Sequence, residues 1–535
     1  GSTFTLGAGG KVDIGGTNNM GFYVKNGANL NVAGGTVTNT AAGIFAYLDN
    51  GNLHFTSGTP VNINFANVIV SGALGNILND TAITVGTSGL QGDSGATITN
   101  SNLGTINGNV INAKAMVGTG VGTTLTNAGT INLTGNTSIG MYTEDFAVGT
   151  STGHVSVGDK SAAYYVGADG TMNISGTASV GEDSTLLFGA GGTINYTGAD
   201  IVMSNKSIAL TLSDSASLVD FNNREVTTGT EGTGIFLTGT GDISKVTNLD
   251  KLNVSNRSTG IFMDNNVALN TGIKIDLTGT EAIGVFTTNN GNINYSGNID
   301  SSTVKNKGII NTGTGTTVNS GTMKLMGDSS IGMYSENGTM INNSSIEVGN
   351  GAYTGLVLNS AVAMYGKNVT SVSNTGNIKI GKDAVGIFGE NTVVTNSNFI
   401  QSTGAKSTGI YGLQGSASNT GSIVLGDSSN GIFVKNGTTI TNTGNITVGN
   451  TNSAGIYGAG TTSVDHNSGT ITAGKESVGI ATENGNITVA NGAVINVGTD
   501  SSYIYSASGT GTNNTNLSLS DHSIGMYTKS GTMIN

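Results

Sequence analysis

A three-residue phrase recurs along most of this chain: glycine, then isoleucine or methionine, then phenylalanine or tyrosine. Its clearest series starts at the glycines Gly386, Gly409, Gly431, Gly455 and Gly479. By subtraction these glycines are 23, 22, 24 and 24 residues apart. A fixed period of this size is typical of a solenoid, in which each repeat forms one coil and buries its apolar face only against its neighbours. The period therefore excludes an ordinary single-core globular domain.

A second phrase keeps step with the first. In it an asparagine is followed four positions later by an apolar residue, as Asn442 is followed by Ile446. The asparagines of this series are Asn319, Asn342, Asn374, Asn396, Asn419, Asn442, Asn467, Asn491 and Asn513. Each of the two phrases therefore marks one fixed position in every coil.

Within one coil the apolar residues alternate with polar ones. Ile432 and Val434 alternate with Phe433 and Lys435, and similar short runs follow after Asn-Gly and Thr-Gly turns. Period-2 alternation indicates β-strands, and 87 glycines in 535 residues favour turns over helices. The sequence predicts an all-β parallel β-helix (β-solenoid) of about 23 residues per coil, with three short strands in each coil.

The same alternation points Ile440 and Asn442 to one side, so we expect the asparagines of the second phrase to lie inside the coil. A buried amide is costly unless it is hydrogen-bonded. Stacked at the strand spacing of about 4.8 Å, identical amides can bond to one another from coil to coil. The nine asparagines are therefore predicted to form a structural ladder.

The phrases also define the expected domain organisation. Residues 1–52 are predicted to form coils, residues 53–121 irregular coils or an insertion, and residues 122–535 regular coils of one continuous solenoid. The glycine phrase lapses between Gly43 and Gly140, and the interval contains the only proline, Pro60. Proline cannot donate to a strand ladder and belongs at an edge, a turn or a bulge. Both ends of the sequence lie inside the repeat pattern, so we expect a fragment of a longer chain.

Charge and cysteine content bound the environment. The formal net charge of -12 argues against nucleic acid or an anionic membrane as a partner. The absence of cysteine is ordinary for a cytosolic protein, and it also suits a chain that crosses an oxidising compartment unfolded, where a disulfide would obstruct passage. The four histidines, His54, His154, His466 and His522, show no metal-ligand spacing and are predicted to be surface residues. No metal and no cofactor is expected.

Two sets of residues carry a resemblance to a known family. Ser-Ile-Gly-Met-Tyr occurs at 138–142, 330–334 and 523–527, and Asn-Thr-Gly-Asn-Ile-Thr-Val-Gly occurs at 442–449. With these motifs the chain resembles the passenger regions of the very large type V autotransporter adhesins of fusobacteria, the RadD-like group. The resemblance covers nearly the whole chain and is more secure after Gly140.

The resemblance implies a right-handed parallel β-helix on the bacterial cell surface, exported through the outer membrane as a monomeric passenger. It also implies a role in cell adhesion and virulence, through attachment to a host-cell receptor, a host glycan or the surface of a partner microbe. The outer-membrane β-barrel that follows the passenger in such proteins is not in this sequence. Motifs of this kind are specific for the architecture and do not identify the ligand.

Enzymatic alternatives rest on weaker patterns. Gly92-Asp93-Ser94-Gly95 matches the surroundings of a trypsin-like nucleophile, with His54 and Asp80 preceding it in the right order. Gly-Asp-Ser also occurs at 327–329 and 426–428 as an ordinary turn, which favours a structural reading. A glycan-cleaving β-helix would need paired carboxylates in a groove, whereas Glu144-Asp145 and Glu182-Asp183 both fall at predicted turns. We therefore expect no enzyme.

The aromatic residues of the first phrase are the surface feature with the best claim to function. If Ile432 points inward, Phe433 points outward, and exchange of Phe with Tyr suits a half-exposed position. The candidate binding residues are Phe388, Tyr411, Phe433 and Tyr457. The structural reading is that the rings stack on their neighbours and shield one sheet, and the opposite alternation, with the rings inside, also remains open.

The sequence thus predicts a non-catalytic adhesin segment that binds through loops, irregular coils or the outward rings. The alternatives are a purely structural stalk that carries a binding head elsewhere in the parent chain, and a glycan-cleaving β-helix. The stalk and the adhesin differ in whether this chain alone retains affinity.

Overall fold

The computed structural model describes residues 1–15, 19–39, 43–56, 60–62, 69–71, 74–351, 361–402, 404–460 and 462–535. It is an all-β parallel solenoid of about 21 turns with about 24 residues per coil, close to the predicted 23. The chain divides into two compact units, Gly1–Asn265 and Asn266–Asn535. In each unit most coils contribute three short strands, which we call the first, second and third strands of the coil.

In the first unit the first strands carry the glycine phrase and pair in parallel from coil to coil. They are Met20–Lys25, Ile44–Asp49, Ile69–Ser71, Ser88–Asp93, Lys114–Thr119, Ile139–Thr143, Ala162–Val166, Thr185–Gly189, Ile208–Leu212, Thr233–Thr238 and Thr259–Asp264. The second strands are Thr3–Leu6, Asn29–Val32, Asn52–Phe55, Asn76–Asn79, Thr97–Asn100, Thr124–Asn127, Val148–Ser151, Thr171–Ile174 and Thr193–Tyr196. The third strands are Lys11–Ile14, Thr36–Asn39, Val61–Asn62, Ala82–Val85, Thr105–Gly108, Thr130–Leu133, His154–Val157, Thr177–Val180 and Ile201–Val202.

The last coils of the first unit merge strands. Leu218–Thr227 pairs through its first half with Thr193–Tyr196 and through its second half with Ile201–Val202. It pairs onward with Val246–Val254, with a register shift between Asp220 and Glu225. A short 3-10 turn, Ile243–Lys245, precedes that strand and is capped by the Asp242 side chain, which accepts from the Ser244 N–H.

The second unit repeats the three-strand coil. Its first strands are Ile283–Thr287, Lys307–Asn311, Ile331–Glu336, Val362–Lys367, Val385–Glu390, Thr408–Leu413, Asn430–Lys435, Ala454–Ala459 and Val478–Thr482. Its second strands are Leu269–Thr271, Ile293–Tyr295, Thr316–Asn319, Thr339–Asn342, Ser371–Asn374, Val393–Asn396, Ser416–Asn419, Thr439–Asn442, Ser463–His466 and Ile487–Val489. Its third strands are Lys274–Leu277, Ile299–Ser301, Met323–Leu325, Ser345–Val348, Asn377–Ile380, Phe399–Ser402, Ser422–Val424, Asn445–Val448, Thr470–Ala473 and Val494–Val497. The long strands Ser502–Asn513 and Ile524–Ile534 run through the first and second positions without a break.

The glycine of the first phrase lies at a close approach between coils. A Cβ on Gly386 would lie 2.5 Å from the carbonyl oxygen of Gly409, and one on Gly409 would lie 2.6 Å from that of Gly431. At these two glycines the coils pack more closely than a side chain would allow without a shift of the backbone. Other coils hold a larger residue at the same position, among them Phe45, Ala115, Ala163 and Leu186.

The apolar residues that alternate within a coil form its core. Ile432, Val434, Ile440 and Ile446 are fully buried, and Val448 is 2% exposed. Each faces the equivalent residue of the next coil, as Ile432 faces Ile456 in the strand register. Burial in every coil therefore depends on the coils above and below it, as the repeat period predicts.

The structure corrects the expectation of irregular coils for residues 74–121. Asn76–Asn79 pairs in full register with Thr97–Asn100, and Ser88–Asp93 pairs with Lys114–Thr119. The glycine phrase lapses there because Gly89-Leu90-Gln91 and Ala115-Met116-Val117 keep the small and the inward apolar residue but lack the ring. Pro60 directly precedes the strand Val61–Asn62. Residues 57–59, 63–68 and 72–73 of the segment lie outside the described residues.

Across the described residues, no helix has the length and apolar character to cross a lipid bilayer. The same residues contain no cluster of three or more His, Cys, Asp or Glu side chains suited to holding a metal ion.

Candidate functional site

An unbroken ladder of asparagine side chains runs inside the second unit. Its members are the first six asparagines of the second phrase: Asn319, Asn342, Asn374, Asn396, Asn419 and Asn442. Each side chain is fully buried, and the amide nitrogen of each of the first five donates to the amide oxygen of the next member at 2.8 Å. The second amide hydrogen is also used in five of them, as in Asn396, which donates to the backbone oxygen of Asn398 at 2.9 Å. The buried amides are satisfied from coil to coil.

The last three predicted members do not continue that ladder. Asn442 donates next to Nδ1 of His466 at 3.1 Å, and Asn467 is exposed. In the following coil Val489 occupies the ladder position and Asn491 is exposed. The turn between the second and third strands is longer in these two coils. The residue four positions before the apolar residue of the third strand therefore lies in the turn, and not at the end of the second strand.

Asn513 returns to the ladder position one coil later. It pairs in register with Val489, is 2% exposed, and donates to the Asn535 amide oxygen at 2.6 Å. His466 is buried, which makes the prediction that all four histidines are surface residues wrong. Burial lowers the pKa of His466, against the opposing effect of its hydrogen bonds to Val494 and Asn442.

The sequence analysis missed two further internal ladders. In the first unit Asn79 donates to Asn100, and Asn100 to Asn127, both at 2.8 Å.

Buried serines form the other ladder at the start of the first strand, where the backbone N–H of one serine donates to the hydroxyl of the serine in the next coil. Its members include Ser138, Ser161 and Ser184 in the first unit and Ser407, Ser429 and Ser453 in the second. The signal was present, because this serine stands four residues before the phenylalanine or tyrosine of the phrase, as in Ser-Ile-Gly-Met-Tyr.

The four candidate binding residues lie together as one column on the outer face of the first strands. Phe388 and Tyr411 have ring centroids 4.9 Å apart, Tyr411 and Phe433 5.0 Å, and Phe433 and Tyr457 5.3 Å, with interplanar angles of 21°, 9° and 13°. Tyr365 extends the column, with its ring centroid 4.5 Å from that of Phe388. The alternation that places rings outside is therefore the one the chain adopts in these coils.

The rings of this column are covered mainly by one another. Phe388 is only 4% exposed and packs with Val362, Val385 and Tyr365 in an apolar cluster on the outer face. Tyr411 is half-buried, and burial raises its pKa. The column thus offers ring edges to solvent, and whether these edges contact a ligand stays a prediction.

Two tyrosine hydroxyls of the column are held by carboxylates of the following coil. Tyr365 donates to Glu390 at 2.8 Å, and Tyr457 donates to Glu483 at 2.8 Å. Burial, followed by this hydrogen bond, raises the pKa of Tyr457 to about 12. Glu483 also accepts the Gly460 N–H at 2.8 Å, and this bond, followed by the one from Tyr457, lowers its pKa. The ring of Tyr457 is therefore fixed in position by a charged partner.

A smaller residue interrupts the column at Ala481. Ala481 lies in register between Tyr457 and Tyr505, and the rings resume with Tyr505 and Tyr527, whose centroids are 5.7 Å apart. A groove of about 550 Å³ opens here and is lined by Phe433, Tyr457, Ala481 and Tyr505 together with polar residues at its rim. The groove was not predicted from the sequence, although Ala481 was visible as the one alanine in the phrase series.

A second groove, of about 460 Å³, lies in the first unit where the sheet formed by the third strands is interrupted. Within the described residues, Thr177–Val180 pairs only with the coil before it, and Ile201–Val202 only with the coil after it. The opening is lined by Tyr196 and other apolar side chains, and the neighbouring Val202 is 78% exposed. Among the described residues, the pairing of third strands is therefore interrupted here, whereas the third strands of residues 74–121 stay paired.

The protease-like residues form a structural contact. His54 Nε2 lies 2.7 Å from Asp80 Oδ2 on the surface of two neighbouring coils. Burial raises the pKa of Asp80, but hydrogen bonds from Ser101 and His54 outweigh this and lower it. Ser94 adopts a positive φ of 51° in a turn, and its hydroxyl donates to Asp93 at 2.8 Å. The arrangement does not place a serine against the histidine base.

Comparison with known proteins gives no family for this chain. No protein-family model matches it, and a search of curated proteins finds no significant match.

Proposed function

We propose that this chain is a non-catalytic binding segment of a bacterial cell-surface adhesin, with ligand contact on the outer ring column of the second unit. The proposed partners are a host-cell receptor, a host glycan or the surface of a partner microbe, and the proposed location is outside the cell after export through the outer membrane.

The observation that supports this function is the continuity of the column. Phe388, Tyr411, Phe433 and Tyr457 are stacked along one line in four successive coils, and the last three of them are partly exposed. Flat, half-exposed rings suit the apolar faces of sugars and the side chains of protein partners. Because the core of each coil is already complete without them, the rings are free to serve contact at little cost to the fold.

The stalk remains the second candidate, and a specific observation favours it. The rings cover one another, Phe388 is nearly buried, and the hydroxyls of Tyr365 and Tyr457 are already bonded to Glu390 and Glu483. Such a column can also serve only to cover the outer face of one sheet, since each stacked pair contributes about 0.5–1.5 kcal/mol to the stability of the fold beyond burial.

Binding of the isolated chain tests the proposal. The chain is labelled and titrated against partner bacteria, cultured host cells and an array of neutral glycans, beside a variant with Tyr411→Ser and Tyr457→Ser. We expect the wild type to bind at least one of these surfaces and the variant to bind it at least tenfold more weakly. Thermal melts establish that both proteins are folded.

Phe399→Ser is the matched control, because Phe399 also points outward but lies on a third strand of the same unit. It should bind like the wild type. Failure of the wild type to bind any surface to which the parent protein attaches would establish the stalk instead. Release of reducing sugar from a bound glycan would contradict a non-catalytic function.

A further inference from the structure

We propose that the interruption of the ring column at Ala481 is a slot that holds one pyranose ring of a glycan between the side chains of Tyr457 and Tyr505. This inference rests on the proposed function and assigns to it a ligand class and a place on the chain.

The strand register sets the width of the slot. Tyr457, Ala481 and Tyr505 occupy the same outward position in three successive coils. Two strand spacings separate the two tyrosines, which is about 9.6 Å. Neighbouring rings from Phe388 to Tyr457 are stacked with centroids 4.9–5.3 Å apart, so the space over Ala481 corresponds to one missing ring.

Other interruptions of the outer column are filled by larger side chains. Ile310 lies in register between Phe286 and Tyr334, and Thr211 lies between Phe188 and Phe236. The side chain of Ile310 occupies the position of the missing ring. Ala481 has only a methyl group, which leaves a groove and places that methyl group, 7% exposed, at its floor.

The rim of the groove suits a polyhydroxylated ring. Glu476, Asp500, Asn452 and Ser502 line it and supply carboxylate, amide and hydroxyl groups. Lys475 Nζ lies 3.2 Å from Glu476 and 3.9 Å from Asp500, so the carboxylates are flanked by a cation. Acceptors and donors are therefore both present around the slot, as a neutral sugar requires, since its hydroxyls both donate and accept.

The two walls are preorganised. Tyr457 is stacked on Phe433 behind it and is anchored through its hydroxyl to Glu483. Tyr505 is stacked on Tyr527 on the far side. Neither ring can rotate into the gap without losing a stacked neighbour, so little ordering is needed when a ligand enters. Aromatic faces on both sides match the C–H faces of a pyranose.

Filling the slot without removing any wall tests the inference. Ala481→Phe restores the missing ring, and Ile310→Phe adds the same ring at the other interruption in the same unit. The intact chain and both variants are titrated with methyl glycosides of neutral hexoses and N-acetylhexosamines, followed by saturation-transfer NMR. We expect Ala481→Phe to weaken binding at least tenfold and Ile310→Phe to leave it unchanged.

Two further measurements keep the test decisive. If Ala481→Phe misfolds, Ala481→Ile copies the residue that fills the Ile310 position, and it should block binding equally. N-acetyltyrosinamide serves as a probe for a protein side chain; its binding, with no binding of the glycosides, would assign the slot to a protein partner and overturn the glycan.

The failure of the slot and that of the proposed function give different results. Wild-type binding to cells or glycans that persists in both Ala481 variants would overturn the slot and leave the adhesin function standing. Loss of all binding by the wild type itself would overturn both.

Discussion

The asparagine ladder and the ring column of the second unit are both arrays in which one type of side chain repeats from coil to coil. The ladder lies inside the solenoid, and the column lies on its outer face. Inside, the amides bond at 2.8 Å and are fully buried. Outside, the rings stack at about 5 Å and keep an exposed edge. Inside the ladder, loss of one amide leaves two buried neighbours short of a partner, whereas outside a missing ring costs only contact area.

The interruptions of the two arrays reflect this difference. The ladder position is occupied by His466, which still accepts a hydrogen bond, and then by Val489, which needs none. The column position is occupied by Ile310 or Ala481 in the second unit and by Gln91 or Thr211 in the first, and these side chains differ in size and polarity. At these two ladder positions the inner face holds a polar side chain with a partner or a side chain with no polar atom. The outer face varies more widely, which makes it the side on which binding can evolve.

Breaking the inner array in its middle is expected to have the largest effect. Asn396→Ala removes the acceptor of Asn374 and the donor to Asn419, and leaves the Asn398 carbonyl without its side-chain donor. Each buried group left without a partner costs about 1–3 kcal/mol, so we expect a loss of about 3 kcal/mol in the free energy of unfolding. Chemical denaturation followed by circular dichroism measures it.

Asn491→Ala is the matched control for this substitution, because Asn491 belongs to the same sequence phrase but is exposed. It should change the unfolding free energy by less than about 0.5 kcal/mol. Equal effects of the two substitutions would show that the amides of the ladder are not what stabilises these coils.

Breaking the outer array should cost less. Tyr411→Ser removes two stacked contacts, with Phe388 and with Phe433. At about 0.5–1.5 kcal/mol for each pair, we expect a loss of about 2 kcal/mol. Tyr411→Phe keeps both contacts and should unfold like the wild type. A Phe variant as unstable as the Ser variant would mean that the hydroxyl, and not the stacking, stabilises this face.

The sequence predicted those parts of the structure that follow from alternation and period. Period 2 placed Ile432 and Phe433 on opposite faces of their strand, because successive side chains of a strand point to opposite sides. Which face is the inner one was left open by the sequence, and burial of Ile432 in the structure decides it. Asn467 was misassigned because it lies four residues before Ile471, just as Asn442 lies four residues before Ile446. The turn before Ile471 has one more residue, so His466 and not Asn467 takes the inward position. Turn length is set by local backbone conformation, which a repeat period does not specify.

The groove at Ala481 was not predicted from the sequence, for a different reason. A single alanine in a phrase of aromatic residues reads as degeneracy, and its meaning depends on which rings lie above and below it. Only the register that places Tyr457 and Tyr505 on either side shows that a full ring is missing. Residues 74–121 illustrate the converse, since the phrase changes there while coils such as Asn76–Asn79 on Thr97–Asn100 stay regular.

The smallest effect at neutral pH is expected where the inner array contains a titratable group. His466 is buried, and its pKa in the folded chain is lowered, first by burial, below the value of about 6.5 in the unfolded chain. The unfolded chain therefore binds the extra proton first as the pH falls. The stability that His466 contributes is complete above about pH 6.5 and is lost progressively below it.

His466→Asn removes this titration and supplies an amide that can accept from Asn442, as the other ladder members do. Melting temperatures measured between about pH 7.5 and pH 5 should fall less steeply for this variant than for the wild type. His522→Asn, at a histidine whose side chain is 82% exposed, should keep the wild-type slope. If His466→Asn melts with the same pH dependence as the wild type, the acid sensitivity belongs to groups outside the ladder, and the inner array differs from the outer one only in burial and not in its response to protons.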